Sequence, residues 1–203
     1  MLWGYANGIF PMAASAHDPE LQWYEPVERG VLPVGGVHVS HSMRRALRRS
    51  GWRAVLNQDF AATVQACAAR DETWINAPLF RLYQELHAMG HAHSLEIRDE
   101  SGMVGGLFGI TLGGAFFGES MFSARRNGSK AALIWLSAHL ARCGFGLIDT
   151  QFPSPHLTSM GGQSIPRITY LRRLSHAIRL PADITAHPLP EAQALSQPST
   201  QTS

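Results

Sequence analysis

Lysine is almost absent from this 203-residue chain: of 17 basic residues only Lys130 is a lysine, and the rest are arginines. A guanidinium fork matches phosphates and carboxylates better than an ammonium does. The net charge of +2 is small, and the arginine excess either suits the chain to anionic partners or reflects codon composition alone. Cysteine is scarce as well. Cys67 and Cys143 stand far apart in apolar, helix-like contexts without metal-ligand spacing, which excludes a disulfide framework. No apolar run is long enough to span a bilayer, and no basic segment leads into an apolar one at the N-terminus. Neither a membrane span nor a signal peptide is expected, and a cytoplasmic protein is the default. There is no internal repeat. What remains is 45% hydrophobic and 16% charged, the balance of an ordinary globular chain. Its length suits one medium domain or two small ones.

Two apolar stretches carry acids where a buried strand should have none. In Gly114–Ser123, Glu119 lies among Phe116, Phe117, Met121 and Phe122. In Leu147–Phe152, Asp149 and Gln151 alternate with Ile148 and Thr150, so an extended strand would turn both to one face. A carboxylate in apolar surroundings is costly unless it is paired or has a task. The two stretches therefore predict one polar pocket with greasy walls, and Gly118 is placed to bulge its strand and re-aim Glu119.

The chain in order begins with what reads as a helix end running into a turn at Met1–Met12, then a loop to Pro26 carrying Trp23 and Tyr24. Gly30–Val39 reads as a short strand broken at Gly35-Gly36. Ser42 is a candidate cap for a helix in which Arg44, Arg45, Arg48 and Arg49 form a basic stripe, with Met43 and Leu47 inward. Taken alone that stripe is most simply a solvated face, and a polyanion partner is the functional alternative. Val55–Asn57 is a strand, and Phe60–Arg70 and the segment from Asn76 or Ala77 are helices, the second with Leu79, Leu82, Tyr83 and Leu86 inward. His87, His91 and His93 lack a fourth ligand, so no metal site is expected.

From Ser94 the pattern turns to strands. Leu95–Arg98, Val104–Leu112 and Ala115–Met121 read as an antiparallel meander, followed by a long apolar helix Ala131–Cys143 and a strand parallel to the last of the meander. Helices follow to Arg179. Pro181–Ser203, rich in Pro, Ala, Ser, Thr and Gln without periodicity, reads as a disordered tail. A meander, a helix entered through a polar loop, then a strand is the order of an N-acetyltransferase-like (GNAT) core. The entry loop Arg125-Arg126-Asn127-Gly128-Ser129-Lys130 opens a helix, where backbone N–H groups favour an anion.

Several motifs together resemble one family. Gly8-Ile-Phe-Pro11, Thr73-Trp-Ile75, Gly90-His-Ala-His-Ser94, Gly105-Gly106, Phe117-Gly-Glu-Ser-Met-Phe-Ser123, Ser129-Lys130, Ile148-Asp-Thr-Gln151, His156 with Gly161, and Ile165-Pro-Arg167 resemble leucyl/phenylalanyl-tRNA–protein transferases, in order from Leu2 to Leu174. The resemblance implies an α+β protein with a small N-terminal α/β domain followed by a GNAT-like mixed-sheet domain, placed here at residues 1–57 and 58–180. It implies transfer of Leu, Phe or, less well, Met from aminoacyl-tRNA to proteins with N-terminal Arg or Lys, marking them for N-end-rule degradation. No cofactor, no metal and a monomer are expected.

Carried onto this sequence, the resemblance gives the polar site as Glu119, Asp149 and Gln151, with the acids orienting and deprotonating the attacking amine or one of them receiving the acceptor's basic side chain. It gives the side-chain pocket as Leu107, Phe116, Met121, Leu133, Leu136 and Ile148. The tRNA contacts it gives are Trp74, stacking on the terminal adenosine, and the basic helix Arg44, Arg45, Arg48 and Arg49, with Ser129 and Lys130 at the helix-entry loop. Met12 stands where the family has a second stacking aromatic. A non-catalytic tRNA- or N-degron-binding module and an acyl-CoA N-acetyltransferase remain as alternatives.

Overall fold

A computed structural model describes residues 1–195. Helix α1 (Leu2–Ala6) leads into a hairpin of β1 (Phe10–Ala13) and β2 (Leu21–Tyr24). Then come β3 (Glu28–Leu32), α2 (His41–Arg49), β4 (Arg53–Leu56), α3 (Phe60–Ala68) and α4 (Ala77–Ala88). The meander is β5 (Ala92–Asp99), β6 (Gly102–Leu112) and β7 (Ala115–Ser123), and α5 (Gly128–Arg142) crosses from it to β8 (Leu147–Gln151). The rest is α6 (Pro155–Ser159), β9 (Gln163–Pro166), α7 (Arg167–Ala177) and α8 (Ala192–Leu195).

Seven strands form one sheet in the order β4-β5-β6-β7-β8-β3-β9. Its one parallel pair is β7–β8, joined by α5, as a helical crossover requires. The architecture is α+β, with a mostly antiparallel sheet between two apolar layers. Alternate residues of each strand feed opposite layers: Phe108, Ile110 and Phe117 pack with α1, α3, α4 and α7, while Leu107, Phe116 and Ile148 pack with α2 and α5. Helix α5 fits against β6 through two glycines, since a Cβ on Gly105 would sit 2.6 Å from the Gly128 backbone.

The helix starts follow capping chemistry. Asp59 accepts from Ala62 N at 3.1 Å, and Asn76 accepts from Leu79 N at 2.8 Å with Pro78 in the first turn. The cap of α2 is Ser40 and not Ser42: its Oγ takes Met43 N at 3.2 Å, one turn before the buried pair Met43 and Leu47.

Three further expectations are corrected. The strand placed at Gly30–Val39 is β3 and stops at Leu32, because Pro33 cannot extend a ladder and Gly35 turns the chain with φ +72°. Residues 1–57 are divided between two sheets, since β1 and β2 pair only with each other, whereas β3 enters the main sheet between β8 and β9 and β4 forms its far edge. The supposed tail is packed as far as it is described. Ile184 is 2% exposed among residues of α5, its carbonyl accepts from His139 Nε2 at 2.7 Å, and Trp135 Nε1 donates to Pro190 O at 2.8 Å. Ala182, Leu189, Ala192 and Leu195 pack against the same core at irregular spacing, so no apolar period marks the segment. Residues 196–203 lie outside the described part.

Replacing Ile184 by Ala removes one of these contacts. Urea unfolding is expected to show a loss of about 2–4 kcal/mol. A loss below about 0.5 kcal/mol, typical of an exposed position, would contradict the packing.

Candidate active site

Strands β7 and β8 are paired only over Ala115–Phe117 and Leu147–Asp149. Beyond that point each carries a bulge. On β7, Phe108 faces Ser120 and Gly109 faces Gly118, which leaves Glu119 as the extra residue. On β8, Gly30 faces Gln151 and Val31 faces Asp149, which leaves Thr150. An extra residue bends its strand and reverses the inward–outward alternation beyond it. The two strands therefore part, and the acids that looked misplaced in the sequence stand where they separate.

Glu119 is 7% exposed. One carboxyl oxygen accepts from Tyr5 OH at 2.8 Å and Gln151 Nε2 at 3.0 Å, the other from Tyr83 OH at 2.7 Å. Burial pushes its carboxyl up to about 7, against the pull of these donors, with the charge of Asp149 adding to the rise. Both tyrosines are held well above their ordinary range by burial and then by Glu119, so they remain donors.

Asp149 is 0% exposed and fully engaged. Arg29 grips it with Nε at 2.9 Å and Nη2 at 2.7 Å, Tyr170 OH donates at 2.7 Å, and Gln151 N donates at 2.7 Å. Burial works against the Arg29 charge, but Asp149 outweighs it and holds the guanidinium above its ordinary value. Burial and Asp149 likewise raise the Tyr170 phenol. Gln151 does not continue the alternation expected of it. Its φ of +63° turns its backbone N–H to Asp149 and its side-chain amide to Glu119. Gly30 makes room for this kink, since a Cβ there would lie 2.6 Å from Thr150 Oγ1.

Leu107, Phe116, Met121, Leu133, Leu136 and Ile148 line a single cleft of about 100 Å³, together with Phe108, Gly118, Ser120, Thr150 and Leu157. Of the three expected polar residues Glu119 is part of its lining, and Asp149 and Gln151 are not. The half-buried Trp74 meets Tyr83 edge-on, with ring centres 6.5 Å apart, one ring away from Glu119. The other residues expected to touch tRNA stand outside this lining. Arg45, Arg48 and Arg49 are exposed on α2, and Arg44 Nε donates to Val39 O at 3.1 Å. Ser129 N already donates to Ser123 Oγ at 2.9 Å, which leaves less of that helix start for an anion. Lys130 is half-buried beside His156, whose imidazole is held low by burial and then by that ammonium.

Sequence reasoning missed Arg29, Tyr5, Tyr83 and Tyr170 as polar partners. The signal for Arg29 was its place beside Gly30, Val31 and Leu32, since a buried cation requires a buried anion. Tyr83 reads as a core-face residue, and a buried phenol usually finds an acceptor. Tyr83→Phe removes a donor from the charged form of Glu119. The Glu119 titration is therefore expected to move from about 7 to higher pH. Carboxyl-carbon NMR, with Glu119→Gln as assignment control, reads this directly. An unmoved midpoint would show that the contact is not felt.

Residues 31–175 match the family described as leucyl/phenylalanyl-tRNA protein transferase, and residues 1–27 match its N-terminal domain. A leucyl/phenylalanyl-tRNA–protein transferase of Paracoccus denitrificans (strain Pd 1222) is 66% identical over 203 residues, covering 100% of this chain and 96% of its own. One of the same name from Dinoroseobacter shibae (strain DSM 16493 / NCIMB 14021 / DFL 12) is 54% identical, covering 96% and 87%. Among solved structures, L-PGS from Bacillus licheniformis aligns over 78% of this chain and 54% of its own, at 13% identity and a TM-score of 0.44, too weak a likeness to carry an argument. The expected GNAT likeness therefore gains no support from it. Matched over both of the family's regions and close to full-length relatives, the chain belongs to the leucyl/phenylalanyl-tRNA–protein transferase family and is an enzyme of aminoacyl transfer from tRNA to protein.

Proposed function

We propose that the protein moves Leu, Phe and, less well, Met from aminoacyl-tRNA to the α-amino group of proteins beginning with Arg or Lys, feeding N-end-rule degradation. The observation that carries this reading is an apolar cleft with one carboxyl group at its polar end. A Leu or Phe side chain seated between Leu133, Leu136, Phe116 and Met121 leaves its ester carbonyl towards Glu119, to which Gln151 is hydrogen-bonded. Apolar walls separate such side chains from charged ones but discriminate weakly among Leu, Phe and Met, where a methylene is worth only about 1–3 kcal/mol.

The reaction is aminolysis of an ester that is already activated, which asks for positioning and a proton acceptor. The acceptor's amine nitrogen bonds to the ester carbonyl carbon, the bond to the ribose oxygen breaks, and that oxygen leaves with a proton. Glu119 takes the proton released by the amine and hands it to the departing ribose oxygen. Gln151, buried and outside the cleft lining, gives an N–H to Glu119 and so holds that carboxylate towards the amine. Of the two acids, Glu119 alone reaches the cleft, and it also attracts the cationic acceptor. Trp74 offers a stacking face for the terminal adenosine, an interaction worth about 1–3 kcal/mol per base. The exposed arginines of α2 offer phosphate contacts.

Labelled leucine on tRNA, offered with peptides beginning with Arg, Lys or Asp and with acetyl-CoA as a control donor, tests the reading. Transfer from Leu-tRNA to the Arg and Lys peptides alone is the expected result. Transfer to the Asp peptide would refute the acceptor rule. Glu119 must be ionised to accept a proton, so the rate should rise through about pH 7. Glu119→Gln should lose about 100-fold or more. Its residual rate should follow only the amine's own ionisation near pH 8, about 7.7–8.0 for an α-amino group.

A further inference from the structure

We infer that Arg29 is a positioning residue for the transfer reaction, acting through Asp149 on Gln151. The inference rests on the transferase reading above.

Arg29 is 1% exposed and fixed on every side. Two of its nitrogens hold Asp149, Nη1 donates to Gly8 O at 3.1 Å, and its Cζ lies 4.4 Å from the Phe10 ring centre and 4.6 Å from that of Tyr170. Such a fork can present a carboxylate in one orientation, which a flexible ammonium does not. The orientation matters at the next link. Asp149 Oδ1 accepts Gln151 N at 2.7 Å and so holds Gln151 in a left-handed backbone conformation that residues other than glycine avoid. From that conformation the Gln151 amide reaches Glu119 at 3.0 Å. Asp149 itself does not line the cleft and has both oxygens occupied. It aims a neighbour and takes no proton from substrate. The line of action runs from Arg29 to Asp149, to the Gln151 backbone, and through its amide to the acid that lines the cleft.

The experiment compares Arg29→Lys, Asp149→Asn and the double variant Arg29→Gln/Asp149→Asn with wild type. It reads single-turnover phenylalanine transfer from saturating Phe-tRNA to an Arg peptide, Phe-tRNA affinity and thermal unfolding. Asp149→Asn keeps a side-chain oxygen for Gln151 N, and the added Arg29→Gln removes the unpaired cation that Asp149→Asn alone would bury. Arg29→Lys and Asp149→Asn are each expected to slow transfer about 30-fold or more, with Phe-tRNA affinity within about twofold of wild type. The double variant is expected to recover at least about tenfold over Asp149→Asn.

A double variant no faster than Asp149→Asn would mean that the carboxylate charge itself is needed in the reaction, and would overturn the inference. Wild-type transfer by Arg29→Lys would do the same. Where Asp149→Asn does not fold, the double variant is judged against wild type. A loss within about tenfold supports the inference, and a larger loss at unchanged Phe-tRNA affinity overturns it. A wild type that transfers nothing sinks the transferase reading and this inference with it, whereas the other failures sink the inference alone.

Discussion

Charge buried in this protein has to be paired, and the Arg29–Asp149 ion pair is the pairing on which the rest of the site hangs. Removing one member of such a pair leaves an uncompensated charge, a loss of about 3–5 kcal/mol in comparable cases. The pair ties β3 to β8, and through Gly8 O and the rings of Phe10 and Tyr170 it also ties in the N-terminal hairpin and α7. Four segments distant in sequence thus converge on one carboxylate. The second acid, Glu119, is satisfied differently, by two phenols and an amide, and burial holds it near neutrality. Two acids in adjacent strands therefore have different properties because their partners differ.

The sheet supplies the space. Regular strands would have closed the gap between β7 and β8, but a bulge in each parts them. The cleft opens on the α5 side of the sheet, while the tyrosines approach Glu119 from the other side. On the proposed reading the aminoacyl side chain and the machinery that aligns the amine come from opposite layers. Trp74 lies against Tyr83, so a base stacked there would sit within reach of the same network.

The sequence misled where individual contacts replaced a pattern. Residues 181–195 carry no apolar period, yet Ile184 and the carbonyl of Pro190 dock on α5, and Ala182, Leu189, Ala192 and Leu195 pack against the same core, so scattered contacts hold a segment whose composition looks disordered. The cap of α2 falls two residues before the expected one because Ser40 and Ser42 are chemically equivalent, and only the backbone entering the helix selects between them. Gln151 was expected to share a face with Asp149. The bulge at Thr150 breaks the alternation, and the two are linked through a backbone N–H instead.

The meander, the crossover helix and the parallel strand after it were legible in the chain alone, because apolar period and glycine turns are local properties. The sequence also marked Glu119, Asp149 and Gln151 as out of place in apolar strands, and its motifs pointed to the family. Which acid faces the cleft was decided only by the tertiary structure. That depends on Arg29, Tyr5, Tyr83 and Tyr170, which lie 120, 114, 36 and 21 residues from the acids they hold. No window of sequence contains those distances, and a carboxylate's character is set by its neighbours in space.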